Sequence, residues 1–140
     1  MRDLTIHHPA IGILGRILFT LIFFLSGITH FTRLAWYAAL MPEAIPFREF
    51  WVIVSGIVEL AGAAMILLNW KPRLGAWLLV LFLVPVTIVV HGLGIVNASD
   101  DRMAEIQTSF FLKGLTMTGA ALLFTQLGVS RSPVSANRAE

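Results

Sequence analysis

Hydrophobic positions along the chain are gathered into four long runs, at residues 11–31, 50–70, 74–93 and 107–127. Each run is about the length of a helix that crosses a ~30 Å hydrocarbon layer at 1.5 Å per residue. The apolar–polar alternation that membrane barrel strands require is absent. The pattern predicts an all-α fold: an integral membrane antiparallel four-helix bundle, residues 11–127, with residues 1–10 as an N-terminal tail and 128–140 as a polar, flexible one. The turn Lys71-Pro72-Arg73 is short enough to force the second and third spans into a hairpin. The longest connection, Thr32 to Glu49, carries Leu34, Trp36, Tyr37, Leu40 and Met41 ahead of Pro42 and Pro46. That composition predicts a short interfacial helix between the first two spans, acting as a cap on the bundle or as a lid over a pocket.

Composition turns this pattern into a choice of solvent. Of the 140 residues, 57% are hydrophobic and 13% charged, against about a quarter charged in soluble domains. Four crossings leave no room for a soluble catalytic domain, and no catalytic motif is present. The chain has no cysteine, so disulfides, thiolate metal sites and thiol redox chemistry on this chain are excluded, and any redox role must borrow a cofactor. The net charge of +2 comes from ten scattered Lys and Arg with no basic tract, which gives no support to nucleic-acid binding. Arg2, Arg16, Lys71, Arg73, Arg131 and Arg138 fall on one side of the expected bundle, against Arg33, Arg48 and Arg102 on the other. The positive-inside rule then puts both termini in the cytoplasm, in a bacterial-type inner membrane. Arg16 interrupts the first run and no small-residue cleavage site follows it, so the run reads as a span and not as a cleaved signal.

The chemistry lies in the ionisable residues inside the runs. Charges near a bilayer centre cost on the order of 3 kcal/mol or more, so they face the bundle interior and find partners. Glu59 lies about 13 Å below Phe50 and Lys113 about 10 Å below Ile106, which predicts a Glu59–Lys113 ion pair. His30 and His91 close the first and third runs on the same side, so His30, Glu59, His91 and Lys113 form a candidate ligand-binding cluster in the outer half. Gly12, Arg16, Phe19, Phe23, Ser26 and His30 draw one seam on the first helix, and Ser55, Gly56, Glu59, Gly62 and Ala63 a small-residue face on the second. Trp77, Val80, Val84, Thr87 and His91 share a stripe on the third, where Pro85 predicts a bend, and Trp51, Trp70 and Trp77 fall at helix ends suited to the headgroup layer. On the fourth, Lys113, Met117, Ala120 and Phe124 align. Arg16, Lys71 and Arg73 are expected at lipid headgroups. His7-His8 has too few neighbouring ligands for a metal site, and none is expected.

The stretch GRILFTLIFFLSGITHF, Gly15 to Phe31, resembles the first-helix signature of the DoxX family, in which Arg opens the helix and a Phe-x-x-Ser/Ala-Gly-x-x-Lys pattern closes it. His30 stands where that pattern has Lys. SGIVELAGAAMILLNWKPRLGAWLL is similar to the family's Glu-centred helix, basic turn and small-residue third helix, and His91 matches a polar position late in that helix. The resemblance, covering roughly Gly15 to Phe124, implies a small membrane subunit associated with quinone-linked oxidoreductases or oxidative-stress complexes. It implies a quinone as cofactor, and the lipid bilayer and other membrane protein subunits as partners. Two further readings stand beside it: a purely structural assembly subunit whose charges hold the bundle together, and a small transporter or proton path.

Overall fold

The computed structural model describes residues 8–126, and every regular element among them is helical. The expected tail 128–140 lies outside the described residues, as does most of the expected tail 1–10. The first helix, α1, spans Pro9–Thr32, with proline in its first turn where the missing N–H costs nothing. A short helix α2, Leu34–Ala39, follows after Arg33. Then come α3, Arg48–Leu67, and α4, Pro72–Pro85, which continues through a π-helical segment Val86–Gly92 into α5, Leu93–Val96. The last helix among the described residues, α6, spans Asp101–Gln126. Three helical segments are long and apolar enough to cross a membrane: Pro9–Thr32, Arg48–Leu67 and Pro72–Val96. The 26-residue α6 is long enough but more polar, since Gln107, Lys113 and several threonines fall within it.

Local chemistry explains the turn between α3 and α4. Trp70 N–H donates to Met65 O at 3.0 Å and Asn69 N–H to Ile66 O at 3.2 Å, with Asn69 at φ 53. This is a Schellman closure with asparagine, the residue after glycine best suited to the left-handed position. Pro72 then starts α4 at once. At the far end of α6, Arg73 Nε donates to Thr125 O at 3.0 Å. Arg73, expected at lipid headgroups, donates to a backbone carbonyl of the chain itself. Lys71 remains exposed, its Nζ 5.2 Å over the Trp70 ring.

The long helices pack in chain order, α1 on α3, α3 on α4, and α4 with its π-helical continuation on α6. Gly27 of α1 sits beside Leu60, and Gly62 of α3 lies so close to α4 that a Cβ there would stand 2.8 Å from Gly75 O. Glycine at 62 and at 75 lets the backbones of α3 and α4 touch, and burial of Phe23, Ala63, Ile66, Ala76, Leu79, Leu83 and Ala121 builds the core around that contact. Phe19 and Phe124 stack at 4.7 Å, joining α1 to α6 through side chains. The outward faces carry large exposed apolar side chains, among them Ile11, Leu18, Leu25, Leu81, Ile88 and Leu123. A surface this apolar matches a lipid solvent.

The helix faces agree with the sequence on α1 and α3 and differ on α4 and α6. On α4 the buried stripe is Gly75, Ala76, Leu79, Leu83 and Thr87, whereas Trp77 and Val84 of the expected stripe are exposed. Gly75 and Ala76 allow the closest approach to α3 and so fix the rotation of the helix, leaving the bulkier Trp77 outside. On α6 the buried positions are Gly114, Ala121 and Thr125, one residue on from Lys113 and Phe124. At Pro85, where a bend was expected, the helix type changes: the proline has no N–H to give, and the next residues widen into π geometry without ending the helix.

Candidate functional site

Glu59 is 1% exposed in the middle of α3, twelve positions into a 20-residue helix. Its partner is His30, whose Nδ1 lies 3.4 Å from Glu59 Oε2. Gly56 makes this possible: one turn from Glu59, its missing side chain leaves the space that the His30 Cβ needs, at 2.9 Å from where a Cβ would stand. His30 Nδ1 also lies 2.9 Å from Ser26 O. A carbonyl only accepts, so Nδ1 carries the hydrogen, and in the neutral ring Nε2 is left as an acceptor. Glu59 Oε2 is buried without a hydrogen-bond partner.

Two rings enclose the imidazole. Tyr37 of α2 stacks on it at 4.1 Å between centroids, 22° from parallel, and Phe82 of α4 meets it edge-on at 5.9 Å. The Tyr37 hydroxyl lies 2.7 Å from Thr29 Oγ1, which in turn donates to Ser26 O at 2.7 Å. The site therefore draws on α1, α2, α3 and α4, and consists of one acid, one imidazole, two hydroxyl-bearing residues of α1 and a phenol in apolar walls. It can hold a proton between imidazole and carboxyl, and it can offer hydrogen bonds to a polar headgroup.

Of the four residues expected to converge, the structure pairs His30 with Glu59 and sets His91 and Lys113 apart from them, about the Phe110 ring. The expected Glu59–Lys113 pair is not formed. Gly114 packs against Thr87 while Gly62 packs against Gly75 and Leu79. That register sets Lys113 roughly 10 Å further along the bundle than Glu59. Lys113 is exposed, with its Nζ 4.6 Å over the Phe110 ring. His91 belongs with it: Nδ1 lies 2.9 Å from Gln107 Oε1 and its ring stacks on Phe110 at 5.3 Å. Arg16, expected at headgroups, is half-buried on the α1 seam. Among the described residues no group of three or more His, Asp or Glu could hold a metal. An open groove beside α2, lined by Ala35, Ala38, Ala39, Phe47, Arg48 and Phe50 among others, includes neither His30 nor Glu59.

Tyr37, Thr29 and Phe82 were not singled out as site residues by the sequence. The available signal was that Tyr37 is the sole tyrosine and follows His30 by seven residues. Residues 19–110 match a family described as a domain of unknown function, DUF8561. The chain belongs to this family. The matched DUF8561 region contains Ser26, Thr29, His30, Tyr37, Glu59, Phe82 and His91 and ends before Lys113. No curated protein and no solved structure matches the chain.

Proposed function

We propose that this DUF8561 protein is a DoxX-like integral membrane four-helix bundle with both termini cytoplasmic, serving as an accessory subunit of a quinone-linked oxidoreductase system. In this reading His30 and Glu59 engage the headgroup of a quinone in the outer half of the membrane. The observation that carries it is Glu59 Oε2, buried without a hydrogen bond and facing a histidine in apolar surroundings. A buried polar atom left unpaired costs about 1–3 kcal/mol, and a group from outside the chain relieves that cost. Histidine and carboxyl together supply a donor and a proton acceptor for the two oxidation states of a quinone oxygen.

The test is extraction in mild detergent, identification of co-extracted lipids, and titration of added quinone. Quinone co-purifies and binds, and Glu59→Gln weakens binding by at least about tenfold while unfolding stability stays within 1 kcal/mol of the parent, as is usual for a near-isosteric change. Absence of quinone from the extract, with no binding of added quinone, overturns the reading.

One observation favours the structural alternative. The groove beside α2 does not reach the pair, as fits a pin that fixes helix register in an assembly subunit. In that case the parent binds no added quinone, and loss of the pair in Glu59→Gln appears only as loss of stability.

A further inference from the structure

The His30 imidazole is covered by a ring of the chain's own. Tyr37 lies over it nearly parallel, and the direction of the phenol's hydrogen bond follows from the next bond in line. Thr29 gives its one hydroxyl hydrogen to Ser26 O, so toward Tyr37 it can only accept, and the phenol donates. The space over His30 is thus shaped for a flat six-membered ring that carries a hydroxyl, with the imidazole as its stacking face and Thr29 Oγ1 as the acceptor.

The element that fills this space is weakly held. The helix α2 has six residues, of which Ala38 alone is buried, and a helix this short has no independent stability. It is tied to α1 through Arg33 and leads toward Phe47, which holds a left-handed φ of 55 while 82% exposed. A non-glycine residue in that region stores strain. The open groove lies between α2 and the start of α3, so α2 has room to shift without displacing the core.

We propose that the Tyr37 position is the ring subsite of the quinone site, closed in this structure by the chain's own phenol. The ligand that takes the subsite is the reduced, hydroxyl-bearing quinol ring. This rests on the quinone reading above and adds to it the favoured oxidation state and the gate. A quinone carbonyl has no hydrogen to give Thr29, whereas a quinol hydroxyl reproduces the bond that Tyr37 makes. The apparent Kd of the parent protein is the intrinsic Kd divided by the fraction of time that α2 is open.

The experiment compares the parent, Tyr37→Ala, Tyr37→Phe and the double variant Tyr37→Ala/Thr29→Val in nanodiscs. Its probes are p-cresol, the isolated tyrosine ring, and a benzoquinol carrying a single isoprene unit. Tyr37→Ala binds p-cresol where the parent does not, and binds the quinol at least about tenfold tighter than the parent, as expected for release of a mostly closed gate. The quinol displaces p-cresol, the matching benzoquinone gains less, and the added Thr29→Val removes most of the gain. Tyr37→Phe keeps the ring but frees it from Thr29, and gives a smaller gain of about threefold. If Tyr37→Ala does not fold, Tyr37→Phe decides, and no gain over the parent overturns the proposal. Equal quinol affinity in the parent and Tyr37→Ala overturns the gate but leaves the quinone reading standing. Binding of p-cresol that quinol does not displace overturns the ring subsite, and binding of neither quinone nor quinol to any variant removes both.

Discussion

Asp100 caps the helix that follows it. Its Oδ1 accepts from Met103 N–H at 2.8 Å, and Ser99 Oγ lies 3.1 Å from Oδ2. The backbone bond from Met103, with help from Ser99, holds the carboxyl below its ordinary range. A lowered folded value means that the cap contributes fully above the unfolded carboxyl pKa of about 3.9 and is lost as pH falls through the folded value. Protection of the first-turn amides of α6 against hydrogen exchange, taken relative to the intrinsic rate at each pH, is expected to fall below about pH 4 in the parent. Asp100→Asn is expected to remove that pH dependence while keeping protection, and Asp100→Ala to expose the turn at every pH. The buried pair calls for a double-mutant cycle. His30→Phe leaves a carboxyl without its partner, and Glu59→Leu leaves an imidazole. Each single change is expected to cost about 3 kcal/mol or more in reversible unfolding, and the double change less than their sum. The acid of this site was legible because a carboxyl in an apolar run has no other use than an interior one. Its partner was not, since depth counted from span ends ignores how far each helix slides against the next. That sliding is set by contacts such as Gly56 with His30 and Gly114 with Thr87.

At the scale of elements, glycine positions decide how closely the helices meet. Gly62→Ala drives a Cβ against Gly75 O, and Gly114→Ala drives one against Thr87 Oγ1. Each is expected to destabilise by about 1–3 kcal/mol, the cost of overpacking. Gly119 has open space around it, so Gly119→Ala serves as the control. It is expected to be neutral or to stabilise by up to about 1 kcal/mol through helix propensity, as a detergent unfolding titration would show. The faces of α1 and α3 were legible because their small and polar residues coincide with the buried side. On α4 and α6 the expected stripes were drawn through Trp77 and Lys113. Large side chains mark no inward direction in lipid, where apolar residues lie on every face and close packing selects the small ones. The helix α2 could be anticipated from its amphipathic residues and the prolines after it, whereas the stacking of Tyr37 on His30 depends on the angle at Arg33, which no periodicity encodes.

For the whole molecule, the absence of cysteine makes orientation directly testable. With cytoplasmic termini, Ser99→Cys in intact cells is expected to react with an impermeant maleimide, and Asn69→Cys only after permeabilisation. The reverse pattern would invert the proposed topology. Membrane association was legible in the composition, and three helical segments are long and apolar enough to cross a membrane. The order of packing could not be read, and it carries a consequence for assembly. The pair α3 and α4 is closed by a short capped turn and a backbone contact, and α6 is latched to it by Arg73. Helix α1, with α2, joins from the other side through the face that carries Phe23, Gly27 and His30. A chain cut in the loop near residue 44 is therefore expected to reassemble from two separately synthesised pieces. Because His30 and Tyr37 travel on one piece and Glu59 on the other, recovery of the site would itself report that the halves had found each other.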